Sequence, residues 1–176
     1  YILMELVEGE TLRQMLRSRL MSSPPAKPPF LKEVEFKKIF HDIASALQYI
    51  HNKNILHLDI KPENIIYDGK EKAKLLDFGT AVRGEIKPGE LGGSAFYVAP
   101  EVVESIKTRD PEMVGSWSDV YSLGATMYEL ATGRPPHLPS FFDNRIKPWV
   151  FYWNEYLSLP AMARQAYEPV SYTHLR

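Results

Sequence analysis

His57-Leu58-Asp59-Ile60-Lys61-Pro62-Glu63-Asn64 is the stretch on which the reading of this chain turns. It sets out a carboxylate, a lysine two residues on and a carboxamide five residues on, and Asp77-Phe78-Gly79 begins 13 residues past Asn64. Short strands are expected on both sides, over Ile55 to Leu58 and Ile65 to Tyr67. The Asp68-Gly69 turn signal then leads into a third strand over Ala73 to Leu76. The residues with chemistry therefore lie between short strands.

Outward from this centre the pattern becomes helical. Between Glu33 and Asn52, Phe36, Phe40, Ile43, Leu47 and Ile50 step by four, three, four and three, which puts them on one helix face. Thr11 to Leu20 has the same spacing through Leu12, Met15 and Leu16, and Tyr1 to Val7 reads as a buried strand entering a turn at Gly9. The paired prolines of 22–29 stop any helix, so this stretch is expected to be a surface insertion, with a ligand for an aromatic-groove domain as the alternative. Downstream, a helix over Asp119 to Thr132 should stop at Gly133 and Pro135-Pro136. The aromatics of Phe141 to Tyr156 read as packing, and no internal repeat occurs.

Composition narrows the function. At 176 residues, 44% apolar and 24% charged, the chain has the size and make-up of one globular domain. A formal charge of −1 argues against a dedicated nucleic-acid surface. The absence of cysteine excludes a disulfide framework and a thiolate metal site. No apolar stretch approaches membrane-spanning length and no signal peptide opens the chain, so a cytoplasmic location is expected. Because the first residue is Tyr1, the N-terminus is expected to be a truncation.

The central residues suit one reaction. Phosphoryl transfer needs a hydroxyl aligned with the γ-phosphate, cations on the phosphates and acceptors that hold those cations. Asp59 is suited to orient the hydroxyl and accept its proton. Asn64 and Asp77 offer the hard oxygen ligands that Mg²⁺ prefers. Lys61 can neutralise charge on the transferring group.

The stretch resembles the catalytic loop of eukaryotic-type protein kinases, with Asp77-Phe78-Gly79 as the metal motif and Ala99-Pro100-Glu101 closing the activation segment. The likeness covers roughly residues 1 to 135 and then fades. It implies an α+β, protein-kinase-like fold: a mainly helical C-terminal lobe with short β-hairpins, the N-terminal lobe missing. Residues 1–168 would be the partial kinase domain, and 169–176 a non-native tail similar to translated adapter sequence. ATP and Mg²⁺ are the implied cofactors. Asp59 and Lys61 would be catalytic, Asn64 and Asp77 would hold metal, and Met4, Glu5, Val7, Glu10, Asn64, Ile66 and Asp77 would line the nucleotide site. Within that set Met4 resembles the gatekeeper, Glu5 and Val7 the hinge, and Ile66 the residue beneath adenine. His57 and Phe78 resemble a buried stacked pair, and Asp119 the carboxylate that caps the catalytic-loop backbone.

Lys61 and Ser94 resemble serine/threonine kinases, with a protein as substrate. Glu63 and Glu10 resemble acidic positions that favour an arginine upstream of the acceptor, and read equally as solvated surface charge. The calcium/calmodulin-dependent kinases look closest, although Gly9-Glu10-Thr11-Leu12 departs from them. Leu58 stands where most of the family has arginine, and 17 residues between Glu101 and Asp119 make Thr108 to Ser116 an expected surface insertion. No Gly-x-Gly-x-x-Gly and no Val-Ala-Ile-Lys strand occurs, and the arginine partner of Glu101 should lie past the C-terminus. The chain alone is therefore expected to be inactive and poorly soluble, with Val120, Leu123, Met127 and Leu130 partly exposed. A scaffold module of the same fold and a small-molecule phosphotransferase are the alternatives. Retention of Asp59, Asn64 and Asp77 weighs against the first, and the Ala99-Pro100-Glu101 segment against the second.

Overall fold

The computed structural model describes residues 5–22, 30–70, 72–87, 90–94 and 96–136. Met4, the proline-rich 23–29, the aromatic 141–156 and the tail 169–176 lie outside the described residues.

Two helices open the described chain after a short strand, β1 (Glu10–Thr11). Thr11 caps α1 (Leu12–Leu20) reciprocally: its hydroxyl accepts the Gln14 N–H at 3.2 Å, and the Gln14 side chain accepts the Thr11 N–H at 2.8 Å. The longer helix α2 (Glu33–His51) starts where Glu35 accepts the Lys32 N–H at 2.9 Å. Its buried face is Phe36, Ile39, Ile43, Leu47 and Ile50, with Phe40 only partly covered. Ile39, which the sequence reading passed over, is fully buried because it shares the face of Phe36 and Ile43 one turn away.

The strands are short. β2 (Ile55–Leu56) pairs antiparallel with β5 (Val82–Arg83), and β1, β3 (Ile65–Tyr67) and β4 (Ala73–Leu75) form an antiparallel sheet in that order. The strand expected through Leu58 stops at Leu56, because Leu58 has φ of 62°, outside the extended region. Residues 5–7, expected within a buried strand, form no ladder, and Leu6 is 88% exposed. The chain pairs instead one step later, with Glu10 opposite Tyr67. Gly9 makes that possible. It has φ of 131°, and a Cβ there would lie 2.5 Å from the Tyr67 carbonyl oxygen.

Two helices complete the described chain. Pro100 opens α3 (Pro100–Thr108) at the first helical position, which needs no N–H donor, and Arg109 ends it at φ of 59°. The segment to α4 (Ser116–Thr132) is mostly exposed, as expected of an insertion, but Val114 is buried. Gly133 ends α4 at φ of 82°, where a Cβ would strike the Phe30 ring.

α4 is buried nearly all round. Leu123, Met127 and Leu130 are at most 3% exposed, so the expected apolar patch reduces to Val120, which is 50% exposed. The cover comes from α2, Leu12, Ile60 and Ile65, which join α4 in one core. Its buried hydroxyls bond back along the helix: Ser122 donates to the Ser118 carbonyl at 3.0 Å and Thr126 to that of Ser122 at 2.9 Å. A second, smaller core gathers Leu58, Ile86, Ala99, Val102 and Val114. No helix among the described residues is long and apolar enough to cross a membrane.

Burial predicts the cost of truncation along α2. Ile39→Ala should lower unfolding free energy by about 2–5 kcal/mol, the range for emptying a filled core site. Val34→Ala, at 79% exposure, should stay within about 0.5 kcal/mol of the parent protein. Urea unfolding of the two variants checks both.

Candidate active site

Asp119, in the first turn of α4 and fully buried, is the fixed point of the site. Its carboxylate accepts the backbone N–H of His57 at 2.8 Å, that of Leu58 at 2.7 Å and His51 Nε2 at 2.8 Å. These bonds hold the chain through the left-handed turn at Leu58 and aim the following residues. The role expected of Asp119, capping this backbone, matches its contacts.

His57 is buried and uses both ring nitrogens. Nε2 donates to the Leu76 carbonyl at 3.0 Å, and Nδ1 accepts the Asp59 N–H at 3.3 Å. Burial pushes its pKa below the ordinary histidine value, so it is the neutral Nε2–H tautomer that fits. Phe78 meets it edge to face, centroids 4.9 Å apart and planes at 64°, and is 48% exposed. The expected pair exists, but it is neither stacked nor buried on the phenylalanine side. Among the described residues nothing covers the outer face of Phe78.

Asp59 lies at the centre of a polar cluster. Lys61 Nζ is 2.6 Å from Oδ2, the Ser94 hydroxyl donates to Oδ1 at 2.8 Å, and Asn64 Nδ2 donates to Oδ2 at 3.0 Å and to the Asp59 carbonyl at 2.9 Å. Lys61 also reaches the Ser94 hydroxyl at 2.8 Å. Burial alone would raise the Asp59 pKa, but the bonds from Lys61, Ser94 and Asn64 outweigh it and hold the carboxyl below its ordinary value. The group is an ionised acceptor at neutral pH.

Asn64 and Asp77 come from neighbouring stretches joined at Leu76. The Leu76 N–H donates to the Asn64 carbonyl at 2.8 Å, while its own carbonyl receives His57. Asn64 spends its amide nitrogen on Asp59, which leaves its side-chain oxygen as the open acceptor. Asp77, at φ of 60° and exposed, accepts the Gly79 N–H at 3.0 Å with one oxygen. Two hard oxygens fit Mg²⁺, which takes one or two protein carboxylate-type ligands and completes its shell with water and phosphate. Among the described residues no cluster of three His, Cys, Asp or Glu could cage a metal alone.

Of the expected nucleotide-site residues, Glu10 and Ile66 lie on the three-stranded sheet, Glu5 and Val7 precede it, and Met4 is outside the described residues. Ile66, half-buried on β3, pairs with Thr11 and Lys74, and its Cγ2 lies 2.9 Å from where a Gly9 Cβ would be. Val7 is half-buried, Glu10 sits on β1, and the exposed Glu5 side chain is paired with Lys74 at 2.5 Å. Since β3 follows Asn64 directly, one strand joins these residues to the Asp59 cluster.

A second cluster escaped the sequence reading. Arg13, on α1, donates from Nε to Glu63 at 2.8 Å and from Nη1 and Nη2 to the two oxygens of Glu129 at 2.5 and 3.1 Å. Tyr97 accepts from Arg13 Nη2 at 2.6 Å and donates to Glu129. Burial, then Glu129, pushes the Tyr97 pKa up, which keeps the phenol a donor. Glu63 is thus paired, and nothing local could have revealed the cluster: Arg13 is 50 residues from Glu63 and 116 from Glu129. Glu101, whose arginine partner was expected past the C-terminus, accepts the Ser118 hydroxyl at 2.7 Å.

The family model for the protein kinase domain matches residues 1–148. Sperm motility kinase 3A of Mus musculus is 34% identical over 140 residues, covering 77% of this chain and 25% of that protein. Probable serine/threonine-protein kinase MARK-C of Dictyostelium discoideum is also 34% identical over 140 residues, covering 77% of this chain and 16% of its own length. A probable serine/threonine-protein kinase of Clostridium acetobutylicum is 33% identical over 144 residues, covering 78% and 19%. The chain thus spans about a quarter or less of the length of these relatives. With the loop held by Asp119, the Asp59 cluster and this match over most of the sequence, the chain belongs to the protein kinase domain family, of the eukaryotic serine/threonine type.

Proposed function

We propose that the protein carrying this chain transfers the γ-phosphate of ATP to serine or threonine hydroxyls of proteins, with Asp59 as the base that orients the hydroxyl. The observation that carries this reading is that Asp59, held ionised, already accepts an aliphatic hydroxyl, that of Ser94, at 2.8 Å beside a lysine at 2.6 Å. A substrate hydroxyl makes the same kind of bond. In that bond its proton points at a carboxylate and its lone pair is free to attack. Lys61, which reaches both Asp59 and Ser94, can follow charge onto the transferring group. Asn64 and Asp77 would hold Mg²⁺, whose charge offsets that of the phosphates when it is bound. Glu5, Val7, Glu10 and Ile66, together with Met4, would take the nucleotide. The sequence contains neither a Gly-rich phosphate loop nor its lysine strand, so phosphotransfer is proposed for the longer protein.

The activation segment supports a further part of this reading, that activity needs no phosphate there. Leu58 is 5% exposed and packs with Ile86, Ala99, Val102 and Val114, an apolar anchor where an arginine would pair with a phosphate. The three hydroxyls between Phe78 and Ala99 are all engaged: Thr80 with the His57 carbonyl, Ser94 with Asp59 and Tyr97 with Glu129.

Three outcomes follow for the intact kinase. Asp59→Asn should lower kcat by about 10²–10⁴, the usual worth of a positioned base, with Mg-ATP affinity nearly unchanged. Steady-state kinetics and a nucleotide titration read the two separately, and activity within a few-fold of wild type would refute the role. Asp77→Ala should weaken Mg-ATP by about tenfold or more, since even outer-sphere changes at metal sites cost 10–100-fold. Equal affinity for the two proteins in the presence of Mg²⁺ would remove Asp77 from the site. Mass spectrometry of fully active enzyme should find residues 79–98 unmodified, and an activity-requiring phosphate there would contradict the apolar anchor.

A further inference from the structure

We infer that Arg13 is a built-in occupant of the acidic pair Glu63 and Glu129, so that the groove beside Asp59 takes an uncharged substrate side chain and turns arginine away. This deepens the serine/threonine kinase reading and rests on it.

A cavity of about 390 Å³ opens next to Asp59, with Lys61 and Ser94, two partners of Asp59, in its wall. A substrate that places its hydroxyl at Asp59 therefore lays a neighbouring side chain in this cavity. Its ionic lining among the described residues is Glu63 and Glu129 against Arg13 and Lys61. Lys61 is turned to Asp59. Both oxygens of Glu129 are taken by Arg13 and Tyr97, and one oxygen of Glu63 is taken by Arg13.

The geometry is set by α1. Leu12 and Leu16 fix its inner face in the core, and α1 packs against the turn at Pro62–Asn64. Arg13 follows Leu12 and is thereby turned toward Glu63 and the end of α4. Its guanidinium is a fixed fork with two carboxylates in reach, the arrangement that arginine fills best. The Glu129 side chain is only 2% exposed, so this cation belongs to the folded protein and is not a passing surface contact. An incoming guanidinium would meet a like charge already seated between the carboxylates, a repulsive element that selects against it. Phe96, 42% exposed on the same wall, offers apolar contact to an uncharged side chain.

The test uses the intact kinase and two peptide series that differ only in arginine or alanine at single positions upstream of the acceptor serine. Wild type should give an arginine-to-alanine ratio of kcat/KM at or below one. Arg13→Ala should raise that ratio by about tenfold or more, the order expected when an incoming charge gains a desolvated partner. Because Arg13→Ala strips Glu129 of its cation, Arg13→Ala with Glu129→Gln is run beside it and should shift the ratio in the same direction through Glu63. Glu63→Ala alone should leave the ratio where it is. A wild-type enzyme that prefers arginine and loses the preference in Glu63→Ala overturns the inference, and so do folded Arg13 variants with an unchanged ratio. Should neither Arg13 variant fold, the wild-type and Glu63→Ala ratios decide. Phosphotransfer to none of the peptides would overturn the kinase reading instead, and this inference with it.

Discussion

The carboxylate of Asp119 is the constraint from which the rest of the site is hung. A fully buried charge is costly unless donors surround it, and here two backbone N–H groups and the His51 ring supply them. In return the charge fixes the backbone at Leu58 in a left-handed turn, which costs an ordinary side chain about 1–2 kcal/mol. Charge-assisted bonds are strong enough to offset that strain. Once Leu58 is set, Asp59 faces Lys61, and Leu58 itself faces Ile86 and the second core.

The two polar clusters solve one problem in the same way. Each holds a buried carboxylate with one cation and one hydroxyl: Asp59 with Lys61 and Ser94, Glu129 with Arg13 and Tyr97. The two hydroxyls are three residues apart on one turn, since the Tyr97 N–H donates to the Ser94 carbonyl at 2.8 Å. That turn is therefore pinned at both ends, toward Asp59 by Ser94 and toward α4 by Tyr97. Through α1, which supplies Arg13, the N-terminal part of the described chain shares in the same contact.

Features that repeat along the chain were readable before the structure. The face of α2 follows from its period, and the Gly133 stop has a local signal. The loop residues Asp59, Lys61, Asn64 and Asp77 were legible because their spacing is short, and the fold brings the first three into contact. Two-residue strands such as β1 and β5 carry no period at all. The burial of Leu123, Met127 and Leu130 was misjudged because α2 and the residues after Asp59 supply a cover that helix spacing cannot show. The Arg13 cluster depends on four side chains, Arg13, Glu63, Tyr97 and Glu129, brought together by the fold alone.

The histidine ring at the base of the loop carries a consequence for acid. With Nδ1 facing a backbone donor and Nε2 facing a carbonyl, His57 can bind a second proton only by turning Nδ1 into a donor that confronts the Asp59 N–H. The unfolded chain has no such restriction and takes up that proton near 6.5, the ordinary histidine value, whereas the folded protein resists it. Stability from this group is complete above that pH and drains away as the pH falls below it, because only the unfolded state gains the proton. Acidification therefore lowers the stability of the fold through the ring that underlies the turn before Asp59.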